Sequence, residues 1–356
     1  MSLIQNKTEN LIPEGHEIAW DEFILQKEKG NKNPSSNINT LEISKTEENI
    51  TIKNEKTNVI IDAETGEIQS WSHEGKVITK APIKPNFWRP PTDNDLGSAM
   101  DSKNIEWKNA TLNNKITKFE HQLINKIQVK VSVNYSLPGV KTTHKTDYII
   151  SGDGTVKITS TLNKTEYKAD LPRLGMRLQI LKEFDNVTYY GRGPWENYQD
   201  RKTSTFIDIF KNKVTDFYVP YIRPQENGNR TNVRWMALVN KENDGLLIST
   251  EIQKGLSISA LHMPNEDFDI TDGLDYSKKN KNANFSKHTT DIKEQDLIQL
   301  NIDLNQRGLA GDDSWWSKPQ EEYQIKGNKE LSYSFYLIPF TNGNKNKFIE
   351  YHNQSK

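Results

Sequence analysis

From Leu41 onward the chain alternates apolar and polar residues in short runs, the period-2 pattern of half-buried strands. Asn49-Ile50-Thr51-Ile52 and Asn58-Val59-Ile60-Ile61-Asp62 lead through a Glu64-Thr65-Gly66-Glu67 turn into Ile68-Gln69-Ser70-Trp71. Residues 126–133 alternate most cleanly, and residues 146–150 face 155–159 across Gly152-Asp153-Gly154, a hairpin signature. Further strand-like runs cover 174–181, 187–190, 235–239, 245–251, 256–261, 297–304 and 331–338. No window longer than a couple of turns sustains helical spacing, and one short helix is expected between Asn265 and Lys279. Many short strands joined by polar loops predict an all-β fold, a large antiparallel sandwich with few short helices.

The opening segment has a different character. Residues 17–25 alternate well enough for one strand, with nothing nearby expected to pair with it, and 26–39 have the Lys/Asn/Gly/Ser/Pro composition of a linker. Residues 1–26 are therefore read as the tail of a preceding domain, 27–40 as a linker and 41–356 as one large domain. The chain is expected to be a fragment whose native N-terminus lies elsewhere, which leaves its compartment open.

Composition narrows the chemistry. Lys plus Arg number 47 against 48 Asp plus Glu, so there is no basic excess to gather nucleic acid or anionic membrane, and neither partner is expected. Cysteine is absent, which removes thiol nucleophiles, thiolate metal sites and disulfides. The seven histidines are scattered without metal-ligand spacing, so no His-based metal site is expected. An oxygen-ligand site at Asp93/Asp95 or Asp312/Asp313 stays open, though neither fits the calcium-loop template, and no metal or cofactor is assigned to this chain.

Four loop-like segments concentrate Trp, Asp, Asn, Arg and Gly. In residues 85–97, Asp93, Asn94 and Asp95 follow Arg89 and a run of prolines. This reads as a rigid corner plugged by Phe87 and Trp88, with a sugar or ion site as the functional alternative. Residues 190–201 carry Arg192, Glu196, Asn197, Asp200 and Arg201; either arginine can clamp a carboxylate. Residues 220–230 carry Glu226, Asn227 and Arg230. Glu226 is a conceivable acid, but a neighbouring Arg223 or Arg230 would keep it ionised and structural. Residues 306–316 end in Asp312-Asp313-Ser314-Trp315-Trp316. An exposed indole there would suit the C–H face of a sugar, and core packing is the equal competitor.

Taken together the four segments resemble the C-terminal region of β-galactosidases of glycoside hydrolase family 2. The family's Phe-x-Arg-x-Pro-x-Asp-Asn-Asp-x-Gly stands at Phe87 to Gly97, its Gly-x-Gly-Pro-x-Glu-Asn-Tyr-x-Asp-Arg at Gly191 to Arg201, and its Tyr-x-x-Pro-x-Glu-Asn-Gly-x-Arg at Tyr221 to Arg230. Its Gly-Gly-Asp-Asp-Ser-Trp is Ala310 to Trp315 here, with Ala for the first Gly, and Glu14-Gly15-His16 ahead of Ala19-Trp20 resembles the last strand of the family's preceding Ig-like domain. The resemblance implies a supersandwich similar to galactose mutarotase, and a retaining β-galactosidase as the parent enzyme. The catalytic Glu pair and magnesium of that enzyme belong to a barrel outside these residues. It implies no catalytic residue here. One substrate-binding aromatic is expected, Trp315, with Trp316 as second candidate. Arg89, Asp93, Asn94, Asp95, Arg192, Glu196, Asn197, Asp200, Arg201, Glu226, Asn227, Arg230, Asp312 and Asp313 are expected to be structural or inter-domain. Expected partners are a galactoside, through the parent enzyme, and the preceding domains, in a homo-oligomer. The rival readings are a stand-alone aldose 1-epimerase, with His262 as base, and an autonomous carbohydrate-binding module.

Overall fold

The computed structural model describes residues 1–23, 39–271, 288–313 and 315–342. The chain divides into two compact units, Met1–Gly30 and Asn31–Lys356. In the first, Glu17–Trp20 pairs antiparallel with Ser2–Ile4, so the strand expected to stand alone has a partner. The residues between them turn the chain back, with Gln5 N–H donating to the His16 carbonyl at 2.8 Å. That closure lies in Pro13-Glu14-Gly15 turn chemistry rather than in apolar periodicity. Apart from Asn39 and Thr40, the linker expected over 27–40 falls outside the described residues.

Among the described residues the second unit contains two antiparallel sheets. One has nine strands in the order Phe206–Lys213, Asn186–Gly193, Trp235–Val239, Gly245–Ser249, Leu331–Phe340, Val156–Leu162, Thr142–Ser151, Gln128–Leu137, Lys115–Asn125. The ten-stranded sheet runs Arg230–Val233, Leu256–Leu261, Ile298–Gln306, Arg173–Ile180, Thr79–Asn86, Ile68–His73, Thr57–Asp62, Asn49–Lys53, Glu42–Lys45, with Lys76–Val77 added beside Ile68–His73. The all-β sandwich read from the sequence is the fold observed.

The alternating strands bury alternate residues: Val129, Val131, Val133, Tyr135 and Leu137 of one strand enter the core while their neighbours stay half-exposed. Central strands read as continuous apolar runs because both faces are covered, as in Gly245–Ser249 and Leu256–Leu261. Trp235, Leu247, Ile338 and Phe340 form a second, smaller core on the other face of the nine-stranded sheet.

Three short helices were not foreseen: α1 (Asp93–Gly97), α2 (Met100–Lys103) and α3 (Ile105–Leu112). The stretch read as a self-capped corner starts a helix instead. The Thr92 hydroxyl accepts from Asp95 N–H at 3.1 Å and the Asp95 carboxylate accepts from Thr92 N–H at 3.1 Å, a reciprocal capping box. The Phe87 and Trp88 plug is present, both side chains buried. Of the helix expected between Asn265 and Lys279, a 3₁₀ turn Asn265–Phe268 is seen, and residues 272–279 lie outside the described residues. No described helix is long and apolar enough to cross a membrane.

His144 is a polar intruder in the core. Its Nε2 meets Ser160 Oγ at 2.9 Å, its ring stacks on Tyr135, and its Nδ1 finds no partner among the described residues. Burial pushes its pKa down from the usual imidazole value to about 3. The folded state therefore refuses a proton that the unfolded chain accepts below about pH 6.5. Stability from this group is complete above that pH and falls as pH drops toward 3, by about 1.4 kcal/mol per unit. Urea unfolding of the wild type and of His144→Gln between pH 7 and 4.5 should show the wild type losing stability faster; parallel pH profiles would refute the assignment.

Candidate functional site

Sheet register brings distant segments together. Asn86 lies opposite Gly175 and Arg173 opposite Gln306, so the ends of Thr79–Asn86 and Ile298–Gln306 and the start of Arg173–Ile180 share one end of the ten-stranded sheet. The first and fourth loop segments leave the sheet there. Their junction is a buried charge cluster. Arg89 makes a two-point contact with Asp95 (Nε–Oδ2 3.0 Å, Nη2–Oδ1 2.9 Å) and donates to the carbonyls of Arg307 and Gly308. Arg307 returns to Asp95 Oδ1 at 2.7 Å and reaches Asp170 Oδ2 at 2.7 Å. Burial alone would raise the Asp95 pKa, but the guanidinium groups of Arg89 and Arg307 hold it below the usual carboxylate value.

The second and third segments join the same knot. Asp200 Oδ2 accepts from the amides of Leu309 (2.7 Å) and Ala310 (3.0 Å). Glu196 accepts from the Tyr221 hydroxyl and from Gly228 N–H, and pairs with Arg201. Asn197 Oδ1 accepts from Thr231 N–H at 2.9 Å, and its carbonyl accepts from the Asn229 side chain at 2.8 Å. Asn227 Oδ1 accepts from Val219 N–H at 3.2 Å, and Arg230 lies over the Phe217 ring while its Nε donates to Tyr189. Asp93 pairs with Arg223 at 2.8 Å and accepts from Gln225, and Asn94 gives its carbonyl to Ser98 N–H. Arg192 donates to Asn232 Oδ1 and to the Thr205 carbonyl.

By sequence Arg223 or Arg230 is a conceivable neighbour for Glu226, but among the described residues Arg223 pairs with Asp93 and Arg230 lies over Phe217. The partner of Glu226 is Arg173, whose Nη2 lies 2.8 Å from Glu226 Oε1 and whose Nε lies 3.0 Å from Asp303 Oδ2. Gln306 also donates to Glu226 Oε1. One guanidinium thus stands between two buried carboxylates. Burial raises the Asp303 pKa to about 8 against the pull of Arg173, with the Glu226 charge adding to the rise. Sequence reasoning missed Arg173 because it lies inside a strand with no motif around it. Held among these groups, the Glu226 carboxylate is buried and accepts from both Arg173 and Gln306.

The loop that this knot holds ends in two exposed indoles. Trp315 is 47% and Trp316 74% exposed, so neither is a core residue. Asp313 Oδ1 accepts from the amides of Trp315 (3.0 Å), Trp316 (2.7 Å) and Ser317 (2.9 Å). These three amides, Ser317 foremost, hold the Asp313 pKa down at about 2. Asp312 accepts from the Gln320 side chain. Gly97 closes α1 directly beneath: a Cβ there would stand 1.6 Å from the Trp315 carbonyl oxygen, so the close approach requires glycine. Trp195 is a third exposed indole, on the second segment, in a slot that the motif leaves variable.

The sequence profile described as Beta galactosidase small chain matches residues 53–337. The chain belongs to that family. It is 29% identical over 340 residues to a β-galactosidase of Priestia megaterium, covering 95% of this chain and 31% of the relative. A β-galactosidase of Halalkalibacterium halodurans is 27% identical over 331 residues, 90% of this chain and 30% of its own length. The chain thus spans less than a third of the length of these curated relatives. Among solved structures it is similar to a galactose 1-epimerase from Lactobacillus acidophilus NCFM (TM-score 0.47, 6% identity, 86% of this chain and 99% of that one). It is also similar to a galactose mutarotase related enzyme from Lactobacillus acidophilus (TM-score 0.45, 10% identity, 82% and 97%).

Other candidates resolve into structure. His262, proposed as an epimerase base, stands one residue beyond its strand, with Nδ1 on the Leu297 carbonyl (2.9 Å) and Nε2 on Asp185 (3.2 Å). Among the described residues no group of three His, Asp or Glu side chains is arranged to hold a metal ion. The aspartates of the motifs are engaged by arginine, amides or Gln320, as given above.

Because Asp95 neutralises two sealed guanidinium groups, Asp95→Ala should cost about 3–5 kcal/mol of folding stability in urea. A loss under about 1 kcal/mol would show that the cluster does not hold the loops. Asp313→Asn should instead leave the unfolding midpoint unchanged and raise collisional quenching of tryptophan fluorescence, the mark of a loosened loop.

Proposed function

We propose that this chain is the non-catalytic portion of a retaining β-galactosidase that hydrolyses terminal β-D-galactosides. In this reading it supplies one aromatic wall of the sugar pocket and supports a catalytic barrel on another part of the polypeptide. The observation that carries the proposal is Trp315, an exposed indole on a loop held from beneath by Gly97, Asp200 and the Arg89–Asp95–Arg307 cluster. Core packing would bury it, whereas stacking on a sugar requires it to be both exposed and fixed in position. Fixing the loop before the ligand arrives lowers the entropy lost on binding.

In that enzyme a carboxylate attacks the anomeric carbon while a second carboxyl protonates the leaving oxygen. This chain's part is to bind and orient. The magnesium implied by the resemblance belongs with the barrel, and no step here is assigned to it. Glu226, sealed against Arg173, is not one of the catalytic pair.

Two measurements test the reading. The chain by itself should not turn over a chromogenic β-galactoside; measurable hydrolysis would refute the non-catalytic role. In the full-length enzyme Trp315→Ala should raise KM about ten- to a hundredfold, the equivalent of ~1.4–3 kcal/mol of stacking, with a smaller effect for Trp316→Ala. An unchanged KM in the first variant would remove Trp315 from the sugar pocket.

A further inference from the structure

A cleft of about 980 Å³, bordered by strands of both sheets, has a lining that does not include Trp315 or Trp316. Its charged lining is Arg192, Lys202, Lys254, Lys326 and Lys329 against the carboxylate of Glu322. This imbalance is local, because the chain as a whole is close to neutral. Lys326 has a partner in Glu321 at 3.2 Å, while the Lys202 ammonium donates to the neutral amide oxygen of Gln199 over a long 3.4 Å. Partial burial lowers the Lys202 pKa, and the positive charges of Arg192 and Lys254 lower it further against the opposing pull of Asp200. Cations crowded in this way gain most from an anion placed among them.

The rest of the lining specifies what kind of anion. Among the described residues Asn232 spends both ends of its amide, on the Arg192 guanidinium and the Lys254 carbonyl, whereas the amides of Gln199, Asn305 and Gln324 each have one end bonded and the other to offer a sugar hydroxyl. The lining also includes the half-buried aliphatic side chains of Ile252 and Leu304, which pack on the core and can offer an apolar surface to the C–H face of a pyranose. A second cleft of about 680 Å³, with Lys103, Lys141, Lys164, Lys168 and Lys318, is also lysine-rich but has no amide side chain in its lining. Its lining adds Glu166, Thr165, Tyr167 and Val140 to the lysines. The larger cleft combines charge, amide groups and apolar side chains, in a volume typical of small-ligand sites.

We propose that this cleft is a binding site for an acidic saccharide, a short oligosaccharide carrying carboxylate or sulfate groups. The cations take the acid groups and the amides take the ring hydroxyls. The site is separate from Trp315, and the inference does not depend on the role proposed for that residue.

Titration calorimetry of the 356-residue chain with digalacturonate and with galactose 6-sulfate tests it, with lactose and inorganic sulfate as controls. At least one acidic sugar should bind with a sub-millimolar Kd, at least about tenfold tighter than either control, and more weakly when NaCl rises from about 50 to about 500 mM. The exposed-face variant Lys202→Gln/Lys254→Gln should weaken binding at least about tenfold, while Lys164→Gln/Lys168→Gln in the smaller cleft and Trp315→Ala should leave it within about twofold. Failure of both acidic sugars to bind overturns the proposal. So does equal binding of lactose, which removes the need for charge, or of inorganic sulfate, which leaves an anion patch without sugar recognition. Equal weakening by the two lysine pairs would reduce the effect to diffuse charge, and weakening by Trp315→Ala would move the site to the tryptophan loop. The last result would leave the galactosidase reading standing, and an unchanged KM for Trp315→Ala in the full-length enzyme would leave the cleft standing.

Discussion

A guanidinium sealed from water, that of Arg89, has to find its counter-charge and its acceptors inside the protein. Removing such an ion from solvent costs several kcal/mol unless every donor is met. Asp95 takes two of its five N–H donors, and the carbonyls of Arg307 and Gly308 take two more. This fixes more than a pair of charges. Asp95 is already held by the Thr92 capping box, so the guanidinium is aimed, and the two carbonyls it captures set the angle at which the chain leaves Ile298–Gln306. The path of the last loop is thus decided by residues at the start of the sandwich. Asp200 adds a second hold on the same loop from the nine-stranded side, and Asp313 organises its tip.

Much of this was legible in the sequence, for reasons that differ by element. Strands with one wet and one dry face announced themselves by alternation, as Gln128–Leu137 does. Lys115–Asn125 did not, because it is an edge strand exposed along almost its whole length and has no buried face to imprint a pattern. The helices escaped for another reason. At five, four and eight residues they are too short for periodicity, and α1 was visible only through the Thr92-x-x-Asp95 spacing. The four motifs could be read as structural loops from their Gly, Pro and Asp content. Which carboxylate meets which arginine could not: Arg173 and Glu226 are 53 residues apart, and a loop residue meets a strand residue through a tertiary contact that no local pattern encodes. Whether the paired tryptophans were core or surface was equally undecided by residue type, since an indole suits both.

Arginine, aspartate and asparagine side chains of the four motifs bond to one another and to backbone amides and carbonyls, so the loops they sit on are tied together. The indoles at the tip of the last loop are exposed above that network. Under the proposed function, rigid support beneath an exposed recognition group is what a domain needs if it shapes a binding surface for chemistry carried elsewhere.

The contact between Gly97 and the Trp315 carbonyl has a consequence for sequence variation. Two positions from opposite ends of the domain occupy what is in effect a single volume. A side chain arriving at 97 leaves no room for the backbone at 315, and a rerouted tail at 315 abolishes the demand for glycine at 97. Across related proteins these positions should therefore drift as a couple, so that a non-glycine residue at the first marks a lineage whose final loop has been reshaped.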